Sequence, residues 1–185
     1  MELDSEQAAA QINIDLLIKR FPTELQKRED GFAEQIHKAK LNPLKKLEAL
    51  YGFMDEVYQF VHKFTPCKKG CSACCYYPIS ISAIEIQYIT KQFGKKPNSE
   101  YLPVQNVHGH PCPFLVNGIC SIYPARPYVC RRHVALTKTN TWCDPMISNE
   151  ENFQMPRFSG LDSAFTNIRL DSGSGAKYDI RQVFG

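Results

Sequence analysis

Apolar positions recur at helical spacing through the first third of the chain. Ala8, Ile12, Leu16 and the Leu17/Ile18 pair fall three to four residues apart, which predicts a helix capped by Asp4 or Ser5 and running to about Arg20. Phe21-Pro22 interrupts it. Thr23 is the expected cap of a second helix carrying Leu25, Phe32, Ile36 and Ala39, weakened by Gly31. Asn42-Pro43 is a start signal, an N-cap followed by a ring that presets helical φ. From there Leu44, Leu47, Leu50/Tyr51, Met54, Val57/Tyr58 and Val61 form one apolar stripe, with Pro66 as the expected stop. Such a stripe must be covered. Packing on neighbouring helices and on the cysteine-rich segment is expected, with an oligomer interface as the alternative.

The pattern changes after Pro66. Residues 76–81 read as extended chain. Ser82-Ala83-Ile84-Glu85 is a capping box ahead of Ile86, Ile89 and Phe93, and Gly94 closes that helix. Residues 95–111 read as loop. Leu115-Val116, Asn117-Gly118 and Ile119-Cys120 are a hairpin, because Asn-Gly accepts the positive φ that matches strand twist; the register places Leu115 opposite Cys120. Pro124 opens a short helix or turn that carries Cys130. In the last third, Leu161, Ala164/Phe165 and Ile168 fit two helical turns. Residues 172–175 (Ser-Gly-Ser-Gly) read as a flexible loop, and Tyr178, Ile180, Val183 and Phe184 as a terminal strand or turn that docks.

Composition narrows the class. The 185 residues are 43% hydrophobic and 22% charged, which fits a globular chain and no membrane span. The length suits one domain or a small domain with a helical attachment, and falls short of a complete (β/α)₈ barrel. The start, MELDSEQAAA, has neither a basic region nor an apolar core, which predicts no signal peptide and a cytoplasmic address. The expected fold is α+β and mostly helical. A helical segment (1–65) would pack on a cysteine-rich, metal-organised domain with one β-hairpin (66–143), followed by a C-terminal extension (144–185).

The candidate chemistry lies in the cysteines. All eight (Cys67, Cys71, Cys74, Cys75, Cys112, Cys120, Cys130 and Cys143) fall within 77 consecutive residues. In a reducing compartment clustered thiols more often bind metal than form disulfides. Adjacent Cys74 and Cys75 are also a poor pair, since consecutive Cα atoms lie only ~3.8 Å apart. The net charge of +3 conceals a block structure. Residues 1–66 and 144–185 each carry −2, whereas residues 67–143 carry 9 basic and 2 acidic side chains, net +7. Thiolates need cations nearby, and Lys68, Lys69, Arg126, Arg131 and Arg132 are candidates. The alternative, a basic surface for nucleic acid, is disfavoured because the positive block coincides with the thiols.

Cys67-x₃-Cys71-x₂-Cys74 is a compact three-thiol spacing that suits a cubane cluster, and Cys112-Pro113 has the ending of ferredoxin-type runs. Structural zinc usually pairs two short knuckles, and the gaps after Cys112 and Cys120 are not knuckles. The spacing therefore favours 4Fe-4S over zinc. His133 shares a turn with Cys130 and is a better ligand candidate than His108 or His110; His37 and His62 read as structural. With seven prolines in residues 67–143, the metal is expected to substitute for a core there.

CKKGCSACC followed by CPFLVNGICSIYPARPYVCR resembles the bacterial cysteine-cluster family of zinc- or iron-chelating proteins, which includes the flagellin lysine methylase. The resemblance spans residues 67–132. It implies Cys67, Cys71, Cys74, Cys75, Cys112, Cys120 and Cys130 as the metal-binding set, and leaves Cys143 and His133 outside the pattern. Three functions follow as expectations. One is an iron–sulfur protein with a redox or metal-handling role. Another is S-adenosylmethionine-dependent methyl transfer to protein lysine, as the methylase branch implies, although the residues after Cys74 show no repeated strand–helix units. The third is a zinc-stabilised interaction module that uses the helical segment as partner surface.

Overall fold

A computed structural model describes residues 3–68, 70–104, 107–148, 150–173 and 175–185. Lys69, Ser174 and positions 105 and 106 of the predicted loop lie outside the described residues. Seven α-helices and two small antiparallel strand pairs occur among those described, which makes the fold α+β and mostly helical. Among them no helix is long and apolar enough to cross a membrane. The chain divides into two compact units. One comprises the residues up to Cys67 together with Val134–Asn140 and Phe153–Gly173, and the other comprises Lys68–His133, Thr141–Asn152 and Ser174–Gly185.

The first unit is built from α1 (Leu3–Arg20), α2 (Thr23–Lys38), α3 (Pro43–Val61) and α6 (Ser159–Asp171), with α6 packed against α2 and α3. Helix α3 starts as its sequence dictates: the Asn42 side chain accepts from the Lys45 amide at 2.9 Å, and Pro43 occupies the first turn. Its stripe of Leu47, Leu50, Tyr51, Met54, Val57, Tyr58 and Val61 is buried, worth about 1.5–3 kcal/mol for each large side chain. Phe32 stacks on Phe53, with ring centroids 4.5 Å apart.

Several local expectations are corrected. Pro66 does not end α3; the helix stops at Val61 and tightens into a 3₁₀ turn over His62–Phe64. Thr23 is the first residue of α2 rather than its cap, and Pro22 occupies the cap position. Asp4 and Ser5 sit inside α1, not ahead of it. The buried positions of α1 are Glu6, Ala10 and Leu17, while Ala8, Ile12 and Ile18 face outward. The stripe is displaced because α1 packs through a polar contact. The Glu6 carboxylate is fully buried and accepts from the Lys138 amide (2.7 Å), the Thr139 amide (3.2 Å) and the Thr139 hydroxyl (2.6 Å). Asn13 adds a bond to the Leu136 carbonyl at 2.7 Å.

Helix α6 has no side-chain cap of its own. Glu29 of α2 supplies one, accepting from the Leu161 amide at 3.0 Å, where a carboxylate also meets the positive end of the helix dipole. This requires close approach: a Cβ built on Gly160 would lie 1.9 Å from the Glu29 carbonyl oxygen.

In the second unit, β1 (Ser80–Ser82) pairs antiparallel with β4 (Lys177–Asp179), leading into α4 (Ala83–Phe93) and α7 (Ile180–Phe184) respectively. The box at α4 is present as expected, and Gly94 closes the helix at φ 68°. Phe93, read as part of the stripe, is exposed. The hairpin of β2 (Leu115–Val116) and β3 (Ile119–Cys120) has Leu115 opposite Cys120, with φ of 50° at Asn117 and 74° at Gly118. Of residues 76–81, read as extended, Tyr76 closes a 3₁₀ turn over Ala73–Tyr76, Tyr77 already has extended backbone, and the paired strand begins at Ser80. Tyr123–Ala125 forms a second such turn, and Cys130 rides on a separate helix, α5 (Tyr128–Arg132). The expectation that a metal replaces the core is also corrected. Ile79, Ile81, Ile86, Ile89, Cys112, Phe114 and Ile122 form an apolar cluster completed by Ile180, Val183 and Phe184. The distant C-terminal residues supply the apolar mass that residues 67–143 lack, and Phe114 meets Phe184 edge-on at 5.1 Å.

Gly160→Ala is expected to cost about 1–3 kcal/mol by overpacking against the α2 backbone, read as a lower urea midpoint. A second test concerns pH. Burial pushes the Glu6 carboxyl up, but its hydrogen bonds from Thr139 and Lys138 outweigh that and hold it below the ordinary glutamate value. Its contribution is therefore present above the unfolded-state pKa and is lost as pH falls through the lowered folded value. Glu6→Gln should cost about 1–3 kcal/mol at neutral pH, with the gap to wild type closing in acid.

Candidate metal centre

The cysteine motif is held by its own backbone. Gly70, at φ 89°, admits a turn in which the Cys71 amide donates to the Lys68 carbonyl at 2.9 Å. The Cys75 amide donates to the Ser72 carbonyl at 2.9 Å. The decisive link joins the two cysteine groups: the Cys112 amide donates to the Cys75 carbonyl at 2.8 Å. The same carbonyl accepts from Arg181 at 3.2 Å, and Arg181 also reaches the His110 carbonyl and Asp179. The Leu115 amide then bonds the Cys112 carbonyl at 2.9 Å, which sets the hairpin that delivers Cys120.

Cys130 is placed by a buried carboxylate. One oxygen of Glu85 accepts from the Ser82 amide (2.8 Å) and hydroxyl (2.7 Å), and the other accepts from the Tyr128 amide at 2.8 Å. A single side chain thus joins the start of α4 to the start of α5.

These constraints bring six thiols onto one cavity of about 500 Å³: Cys71, Cys74, Cys75, Cys112, Cys120 and Cys130. Cys67 and Cys143 do not line it. Its remaining wall is largely apolar, with Ile79, Ile119, Ile122, Ile180, Pro124 and Pro127, and its cations are Lys68 and Arg126. Among the described residues, no three His, Cys, Asp or Glu side chains converge tightly enough to hold one metal ion.

Burial acts on the thiols that come from the hairpin and from α5. It pushes the Cys112 thiol up to about 11 and raises Cys120 and Cys130 as well. Cys74 and Cys75 act as a pair: the Cys75 thiol donates to Cys74 and the Arg126 charge adds to that, so Cys74 falls while Cys75 rises. Metal uptake therefore has to displace protons from most of this set.

Of the cations expected beside the thiols, Arg126 acts on Cys74 and Cys120. Arg131 is buried and committed to the carbonyls of Arg126 (3.0 Å) and Pro124. Arg132 acts on His133, whose pKa is lowered first by burial and then by that neighbouring charge. Arg181 was not anticipated; the sequence marks it only as a basic residue in a segment expected to dock. His133 is absent from the cavity wall and packs edge-on against Tyr77 at 5.3 Å; His108 stacks on the same ring at 5.7 Å and bonds the Pro145 carbonyl at 2.7 Å. Tyr77 donates to the Cys143 carbonyl at 2.7 Å, so the described contacts of this group fix the 143–145 segment.

Residues 66–148 match the family model CxxCxxCC, described as a "putative zinc- or iron-chelating domain". The match makes that segment, a little under half of the chain, similar to the family. No curated protein and no solved structure shows a match. The CxxCxxCC match supports metal binding through the cysteines. In this chain the first gap is one residue longer than the family's name spells, Cys67-x₃-Cys71, and Gly70 lies within it.

Glu85→Gln is expected to cost about 1–3 kcal/mol, because an amide cannot accept at both ends and one buried N–H donor loses its partner. A lower urea midpoint checks it.

Proposed function

We propose that the cavity holds an iron–sulfur centre, 4Fe-4S, through thiolates drawn from Cys71, Cys74, Cys75, Cys112, Cys120 and Cys130, and that the protein has a redox or metal-handling role. The observation that carries this reading is the gathering of six thiols from two distant cysteine groups on one cavity of about 500 Å³. An all-sulfur donor set selects iron–sulfur clusters, zinc or copper(I) over harder cations. Structural zinc takes four ligands at a point. Six cysteines lining one cavity, with no three of the described side chains converging on a point, favour a polynuclear centre instead. The apolar wall also suits a cluster, since burial from water is one of the determinants of its reduction potential. An oxidised cluster with four thiolates carries a net negative charge, and the cations on the wall, Lys68 and Arg126, oppose it. Zinc is the second reading, and the family description, which names zinc or iron, accommodates it.

Anaerobic purification with metal and sulfide analysis separates them. The expected result is equal iron and acid-labile sulfide with a broad visible absorption band. Cys120→Ser and Cys130→Ser should each lose most of the metal, while Cys143→Ser keeps it. A colourless protein with stoichiometric zinc overturns the cluster reading in favour of the second.

A further inference from the structure

Three arginines flank Cys130 in sequence, and the fold gives them different roles. The guanidinium of Arg131 is inside the fold on two carbonyls, and Arg132 faces His133. Arg126 lines the thiol cavity, and its buried Nε has no hydrogen-bond partner. A buried N–H without an acceptor is costly, and such a group asks for an explanation.

The position of Arg126 is closely determined. Its carbonyl accepts from Arg131 at 3.0 Å, and its amide bonds back to the Tyr123 carbonyl at 3.4 Å. Pro127 follows and holds its backbone extended, at ψ 143°. Its guanidinium carbon lies 4.0 Å from the centroid of the Tyr123 ring. A planar group stacked in this way presents N–H donors in fixed directions, which a flexible ammonium does not. Cys74 and Cys120 line the same cavity, and they are the thiols on which the Arg126 charge acts.

We propose that Arg126 donates its Nε–H to a sulfur of the metal–thiolate centre, at Cys74 or Cys120, and offsets the centre's negative charge. The inference rests on the metal-binding reading above. A positive donor stabilises the more reduced, more negative centre, so it raises the reduction potential of a cluster. It also strengthens metal retention, as outer-shell partners of metal ligands do.

The test compares wild type with Arg126→Gln, Arg126→Lys and the charge control Arg132→Gln. Each is reconstituted anaerobically with ferrous iron and sulfide, and in a parallel arm loaded with zinc against a chelator. For Arg126→Gln we expect metal retention to fall by about 10–100-fold. A lower midpoint potential and a shifted visible band should accompany it in the iron arm. Arg126→Lys, which keeps the charge without the Nε fork, should recover part of the retention. Arg132→Gln should match wild type. Thermal unfolding of each metal-free variant separates a folding defect from a metal defect; if Arg126→Gln does not fold, the Arg126→Lys spectrum and potential decide. Wild-type retention, spectrum and potential in Arg126→Gln, or in Arg126→Lys where that variant decides, overturn the role of Arg126. Failure of the wild-type protein to bind either metal overturns the reading beneath it.

Discussion

The backbone carbonyl of Cys75 is the joint on which the cysteine-bearing unit depends. It accepts the Cys112 amide and the Arg181 guanidinium together, and so ties three segments that are far apart in sequence. Without it, the compact motif and the hairpin would be two separate cysteine groups. With it, Cys112 becomes part of an apolar cluster that includes Ile180 and Phe184, and the hairpin that follows is aimed at the same cavity. The charged donor makes this joint stronger than an amide alone, because hydrogen bonds involving an ion are worth roughly twice a neutral one.

Placing thiols in such a setting has a consequence for their chemistry. Desolvation disfavours the thiolate, and most of the set is held above the ordinary cysteine value. Soft metal ions bind thiolates strongly enough to displace those protons; exposed oxidants would need the thiolate first. The cavity is therefore better suited to a bound centre than to an open redox pair. The described cations are few and specific, and the excess of positive charge in residues 67–143 is not spread evenly over the thiols. Arg131 supports the backbone, and Arg126 is the arginine that lines the cavity.

Several features that depend on neighbouring residues are readable from the chain alone, although the caps expected at Asp4 or Ser5 and at Thr23 and the stop expected at Pro66 are not among them. Asn42-Pro43, the Ser82–Glu85 box, Gly94 and the Asn117-Gly118 hairpin are each decided within a few residues, and each forms where expected. Features that depend on distant partners were not. Glu6 is polar in a helix whose apolar residues suggested a different face, and only its bonds to Lys138 and Thr139 explain its burial. Glu29 caps a helix 130 residues away, and the matching signal, Gly160, looks like an ordinary glycine in the sequence. The core of the cysteine-bearing unit was missed for the same reason, since Ile180, Val183 and Phe184 are remote from the residues they cover.

The candidate site divides along the same line. Seven cysteines were proposed from spacing and family resemblance, and six of them line the cavity, whereas Cys67 does not. Spacing could group thiols within a motif but could not reveal that the groups share one wall, because that depends on the Cys75 joint and on Glu85. Glu85 illustrates the limit well. Its local role as a capping residue was legible, but its second oxygen positions Tyr128 and hence the helix that carries Cys130. A residue that looked like ordinary helix punctuation is therefore also a support of the site. The same holds for Arg181, which reads as surface charge and in the fold holds Cys75, His110 and Asp179 together. The residues that hold this cavity together are not thiols: the hydrogen bonds of Glu85 and Arg181 fix the segments that carry the cysteines to it.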